Sequence, residues 1–299
     1  DIKAEDMERQ YQISRARKYP VGLVTDSAAD LPQDVIDSYQ IQVVPFKISF
    51  GSSVYLDKIT LHPRQFYQMV SDSPDFPKSS QPAPAAVKNI YDSLAASYDE
   101  IISLHISSRL SGLYKTASRI SPEITGTTIA AVDSRHLSAS EGLLVLRTAE
   151  AIANGVPFNE IVTSTEKWIG DTRLLTDVDT LEYMVRGGRV SPLTGFLAKA
   201  VHLKPIVSVD EEGGGVVLDK SFGRNGSMKK ILTRIERELQ HRTLWNYALV
   251  HSQNRERADR YAERLEALSG RPPAYIVDIS PVVGVHNGIG AVAVAYMFE

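Results

Sequence analysis

The chain has no cysteine, which excludes disulfides, thiol catalysis and cysteine-based zinc sites and is compatible with a reducing compartment. No apolar run approaches the length of a membrane span and no signal peptide is visible, so the expectation is a cytoplasmic protein without stable membrane insertion. An excess of basic charge is also missing. The 33 Lys and Arg residues against 36 Asp and Glu leave a net charge of −3, with no basic cluster, so nucleic acid is not an expected partner. The seven histidines are dispersed and none pairs with another at helix-turn spacing around a carboxylate, so no metal centre and no cofactor are predicted. There is no Walker A loop and no G-x-S-x-G elbow. Gly288-Ile289-Gly290-Ala291-Val292-Ala293 satisfies a loose dinucleotide fingerprint, but no room follows it for a helix, a second strand and a ribose-binding acid.

What is present is a regular alternation. Val21 to Thr25 reads as a strand, and Asp30 as the N-cap of a helix through Tyr39. Val43 to Phe50 and Ser52 to Leu56 read as a hairpin, followed by helices Arg64 to Val70 and Ala85 to Ala96. Ile101 to Ile106 is a strand, Leu110 onward a helix, and Thr128 to Val132 a strand; Ser138 and Glu141 form a capping box for a helix to Ala153. Another helix runs from Pro157 to Ile169. Such alternation predicts a parallel sheet of Rossmann type with helices on both faces. After Gly170 the pattern changes: strands at Arg173 to Val178, Pro205 to Val209 and Val216 to Asp219, with Glu211 to Gly215 as a hairpin turn. Short helices are read at Leu181 to Val185 and from Ser191-Pro192 to Val201, and longer ones over Met228 to Leu239 and Arg255 to Leu268. The expected architecture is therefore two α/β domains, 21–170 with the parallel sheet and 171–299 with a partly antiparallel one. Residues 1–20 are read as a linker or docking helix.

Several loops carry hydroxyls. Ser107-Ser108-Arg109-Leu110-Ser111-Gly112 joins a strand to a helix, where free backbone amides and the helix dipole favour an anion; Ser108 or Ser111 either caps the helix or helps to seat a carboxylate or phosphate. Asp26 and Ser27 follow the first strand, a position where open α/β sheets bind ligands, and equally one where such residues shape a turn. Prolines at 82 and 84 hold Ser79 and Ser80 in an extended loop. Glycines at 284, 288 and 290 leave the backbone around His286 open to close approach by a ligand or another backbone. These donors suit one carboxylate. A second reading is a serine/histidine acyl-transfer enzyme, with Ser108 or Ser111 as nucleophile, His286 as base and Asp26, Asp133 or Asp278 as the orienting acid.

Seven segments in order, VGLVTDSAADLP, SSQPAP, HISSRLSGLYKTA, VDSRHLSASEGLLVL, DTLEYMVRGGRVS, LKPIV and GVHNGIGA, resemble the DegV family of bacterial fatty-acid-binding proteins from Val21 to the C-terminus. The resemblance implies two α/β domains clasping one long-chain fatty acid, and no catalytic residue in this chain. It also implies a role in phospholipid metabolism as the lipid-presenting subunit of fatty acid kinase. A dihydroxyacetone-kinase-like ATP-binding subunit, or a domain fused upstream, would then phosphorylate the carboxylate; the start at Asp1 rather than a methionine fits the fused form. The family's head-group residues fall on Ser79, Ser80, Ser108, Ser111, Gly112, His286 and Asn287, and its phosphotransfer or partner-contact arginine on Arg224. Asp26 and Ser27 form a secondary loop. Ser79 and Asn287 stand where threonine is usual, and Phe222-Gly223-Arg224 where the family has an Arg-Thr-Arg type.

Overall fold

The computed structural model describes residues 17–73, 75–190 and 203–299. The expected helix from Ser191-Pro192 to Val201 lies outside the described residues, as do residues 1–16 of the leading segment. From Arg17 the chain is seated on the fold, its guanidinium donating to the carbonyls of Tyr19, Pro20 and Ser97.

Strand β1 (Gly22–Asp26) is buried along its whole length. Helix α1 (Gln33–Ser38) returns the chain to β2 (Gln42–Val44), which pairs parallel to β1. Pro45, with no N–H to give a ladder, ends that strand, so the run expected as one strand becomes β2 and β3 (Lys47–Phe50). After β4 (Ser53–Leu56) and helix α2 (Pro63–Asp72), β5 (Lys78–Ser80) pairs with β3, and β4-β3-β5 forms a small antiparallel sheet. Helix α3 (Pro84–Ala95), β6 (Glu100–His105), helix α4 (Leu113–Ile120) and β7 (Thr128–Asp133) complete a four-stranded parallel sheet of order β2-β1-β6-β7.

Two helices follow, α5 (Ser138–Ala153) and α6 (Phe158–Asp171), then β8 (Thr172–Asp177) and the short α7 (Glu182–Arg186). The hairpin β9 (Leu203–Val209) and β10 (Gly215–Phe222) leads into α8 (Gly223–Leu239) and β11 (Leu244–His251). Then come α9 (Arg255–Ser269), β12 (Ile276–Asp278), α10 (Pro281–Asn287) and β13 (Val292–Phe298). The second sheet has the order β10-β9-β8-β13-β11-β12, and only β11 and β12 run parallel. The chain is thus α/β, with a parallel sheet and a mixed one.

The mixed sheet is covered on both faces, which explains why its strands read as apolar runs rather than as alternating ones. Along β13, Ala293, Ala295 and Met297 join the core shared with α5, α6 and the parallel sheet, while Val292, Val294, Tyr296 and Phe298 join a second cluster under α8 and α9. Helix α5 is buried on most of its surface because it lies on β8, β11 and β13 and against α6. No helix among the described residues is long and apolar enough to cross a membrane.

Asp30 does not cap α1, where Pro32 holds the N-cap position. Its buried carboxylate instead accepts from the Ser280 N–H at 2.9 Å and the Ser138 hydroxyl at 2.6 Å, with Lys58 Nζ at 3.4 Å. Ser138 and Glu141 form no capping box either. Ser138 is committed to Asp30, and Glu141 is buried beside Thr25 Oγ1 at 3.5 Å. Both pairs were close in sequence, but a buried carboxylate requires partners wherever the fold supplies them.

Candidate functional site

One cavity of about 200 Å³ lies between the two halves of the chain. Its walls are mostly apolar: Phe46, Ile106 and Leu137 from one half, Leu174, Val207 and Val283 from the other. Arg189 is its one charged lining residue among the described residues, so no carboxylate opposes an anion there.

His286 and Ser79 meet in this cavity, Nε2 to Oγ at 3.0 Å, although 207 residues separate them. Two elements bring this about. The pairing of Ile48 with Ser79 places the serine on β5, and Pro281 starts the short helix that carries His286 near its end. His286 is therefore helical rather than part of the glycine-rich loop expected from the sequence. The glycines around it serve close backbone packing. A Cβ at Gly284 would sit 2.7 Å from Tyr67 Oη, and one at Gly288 2.4 Å from the Tyr183 ring.

Burial, and secondarily the Arg189 charge, lower the His286 pKa to about 4, so the ring is neutral at neutral pH. Its Nδ1 is buried without a hydrogen-bond partner among the described residues, and a Cβ on Gly187 would lie 2.1 Å from it. A buried N–H without an acceptor is costlier than a vacant lone pair, which favours the proton on Nε2. In that tautomer Nε2–H donates to Ser79 Oγ, and the serine hydroxyl is left to donate to a ligand oxygen.

Ser80, Ser111, Gly112 and Asn287 also line the cavity. Gly112 lets the end of the Gln81 side chain lie close, since a Cβ there would come within 2.5 Å of Gln81 Oε1. Ser111 Oγ accepts from the Leu113 N–H at 3.3 Å, and α4 starts at Leu113, later than the Leu110 expected from periodicity. Gln81, in the expected Ser79-Ser80-Gln81-Pro82 loop, lines the cavity too, and so does Arg189, which no motif singled out; the Gly187-Gly188 pair beside Arg189 was its one signal in the sequence.

Four expected site residues lie elsewhere. Ser108 does not line the cavity; its N–H donates to Asp133 Oδ1 at 3.0 Å. Asp26 and Ser27 are buried in the turn after β1. Asp26 Oδ2 accepts from the Ile106 N–H at 3.0 Å and meets His105 Nδ1 at 3.1 Å, while Ser27 Oγ accepts from the Phe46 N–H at 3.0 Å. They shape the cavity wall without facing it. Arg224 is outside the cavity as well, paired with Asp179 through Nε at 3.0 Å from Oδ1. The acyl-transfer arrangement is also undone. The serine that meets His286 is Ser79, no acid among the described residues reaches Nδ1, and the three candidate acids are engaged elsewhere: Asp26 with His105, Asp133 with Ser108 and Asp278 with His251 at 3.2 Å.

Known proteins share this sequence pattern and this fold. The profile of the DegV family matches residues 20–299. A DegV domain-containing protein of Clostridium acetobutylicum is 30% identical over 277 residues, covering 92% of this chain and 97% of its own. The protein DegV of Bacillus subtilis is 28% identical over 280 residues, covering 93% and 99%. Among solved structures, DegV from Bacillus subtilis, described as a fatty acid binding protein, superposes with a TM-score of 0.86 at 27% identity, covering 94% of this chain and all (100%) of that one. A DegV family protein from Thermus thermophilus, whose structure is described as showing fatty acid binding, gives 0.85 at 27% identity, again covering 94% and 100%. The chain belongs to the DegV family.

Proposed function

We propose that this chain binds one long-chain fatty acid in the cavity between residues 21–170 and 171–299 and presents its carboxylate to a dihydroxyacetone-kinase-like partner, separate or fused upstream, in the cytoplasm. The observation that carries the reading is the junction of an apolar wall with the Ser79–His286 pair, Ser111 and the single charge of Arg189. Burying an alkyl chain gains about 0.8 kcal/mol per methylene, so a sixteen-carbon acid offers roughly 10 kcal/mol gross. A carboxylate buried without donors would cancel several kcal/mol of that, and the hydroxyls, the amide of Asn287 and the guanidinium offset the loss. The fatty acid binding described for the Bacillus subtilis and Thermus thermophilus relatives supports the same reading. Arg224, held in place by Asp179, lies outside the cavity, where it is available to a partner or to a transferred phosphate.

Mass spectrometry of an organic extract from the purified protein tests the ligand. The expected result is one equivalent of intact long-chain fatty acid, released by denaturation and reduced in amount in the Ser79→Ala/His286→Ala variant. Covalent labelling by a fluorophosphonate with no extractable lipid would refute the carrier in favour of an acyl-transfer enzyme.

A further inference from the structure

The turn 210–214 between β9 and β10 docks on the strand-to-helix turn that follows β6. Both flanks of that contact line the cavity: Val209 and Gly215 from the hairpin, Leu110, Ser111 and Gly112 from the other turn. Ser107, which is fully buried, donates its hydroxyl to the Gly213 carbonyl at 2.8 Å, and the same oxygen accepts from the Arg109 N–H at 3.2 Å. Gly213 has a φ of +84°, and a Cβ there would lie 2.2 Å from Ser107 Oγ and 2.8 Å from the Arg135 Cα. Only glycine docks so closely.

The tip is preformed. Asp210 Oδ1 accepts from the N–H groups of Glu212 at 3.0 Å and Gly214 at 2.7 Å, so the turn keeps its shape without the contact. Among the described residues, what fastens it across the seam is slight: one buried hydrogen bond, the packing of Gly213 against the Arg135 backbone, and the exposed pair Arg109–Glu212 at 3.4 Å. The turn Asp210-Glu211-Glu212-Gly213-Gly214 has no apolar side chain to bury. The strands behind it are secured differently, with β9 and β10 packed under α8 and β9 paired to β8. Segments with few buried apolar contacts open locally while their anchored neighbours stay folded.

We infer that this tip is a latch over the acyl-chain portal: the chain enters and leaves through the seam between the hairpin and the Ser107–Gly112 turn, and exchange requires the Ser107–Gly213 contact to part. The inference rests on the fatty-acid reading, because only an enclosed ligand needs a portal. It accounts for two features that binding alone does not use, the buried hydroxyl of Ser107 and the glycine at 213.

The absence of cysteine allows a direct test. In an Arg109→Cys/Glu212→Cys variant, both positions being on the surface, a short reducible bis-methanethiosulfonate ties the tip to the turn. Exchange of bound palmitate for an excess of a fluorescent fatty acid is measured before linking, after linking and after added thiol. Linking should slow exchange about tenfold or more and thiol should restore it, whereas Gly213→Ala should speed release about tenfold, the equivalent of one lost hydrogen bond. The linked protein decides the matter even if Gly213→Ala fails to fold. Normal uptake with an exchange rate indifferent to the linker overturns the latch and leaves the proposed function standing. No uptake of palmitate before linking overturns both.

Discussion

At His286 the chemistry depends on which neighbour each nitrogen has. Nε2 faces Ser79 and Nδ1 faces the backbone at Gly187 with no acceptor, so the imidazole acts on a ligand through the serine hydroxyl. Ser79→Ala should therefore weaken fatty-acid binding about as much as His286→Ala, by roughly 1–2 kcal/mol or about tenfold, and the double variant should lose less than the sum. Ser108→Ala should leave affinity unchanged. Titration with a fluorescent fatty acid measures all four. Gly187→Ala should displace the imidazole and weaken binding without touching any donor, and the His286 ring resonances should move with it. At this scale the sequence was half legible. Hydroxyl-bearing loops and a histidine among glycines marked the right neighbourhood, because those residue types suit a carboxylate. Ser79 faces the cavity through a strand pairing, and Ser108 and Ser111, three positions apart in one turn, part company through how that turn folds, none of which the sequence spells out.

Among the elements, β13 shows how far a pattern reaches. Its terminal apolar run was readable as a strand, yet its division into small residues on the α5 side and larger ones on the α8 side follows from two covered faces. Ala295 is fully buried against α5 and its neighbours, so Ala295→Leu should cost about 1–3 kcal/mol of stability by overpacking, as read from urea unfolding. Strand β5 was not readable as a strand. Three residues between a loop and two prolines acquire that identity only by pairing with β3, and the partner lies some thirty positions earlier in the chain. Helix α10 had a helix signal in Pro281, which the glycines at 284 and 288 obscured; those glycines are packing sites for Tyr67 and Tyr183.

For the whole molecule, the change from strand–helix alternation to a hairpin-bearing segment near residue 170 foretold a parallel sheet and a mixed one. The alternation did not foretell that α5 and α6, which close the first pattern, would lie on the second sheet and join the two cores. That shared interior carries buried titratable groups whose effects oppose one another. Burial lowers the pKa values of His136 and His286 to about 4. The unfolded chain takes up these protons near pH 6.5, so their stabilisation is complete above that value and is lost as pH falls toward about 4. For His136 alone the loss is on the order of 3 kcal/mol. Burial raises Asp57 to about 7, so its contribution is complete below the ordinary carboxylate pKa of about 4 and is lost as pH rises to about 7. In urea unfolding between about pH 4 and neutrality, His136→Gln should lose less stability on acidification than the unsubstituted protein.

The arrangement of the head group is open to direct measurement by carbon-13 NMR of palmitate labelled at its carboxyl carbon and bound to the protein. A single bound resonance should appear, shifted by Ser79→Ala and by His286→Ala and unmoved by Ser108→Ala. A carboxyl resonance identical in all four proteins would place the acid end away from the junction of β5 and α10 and contradict the account.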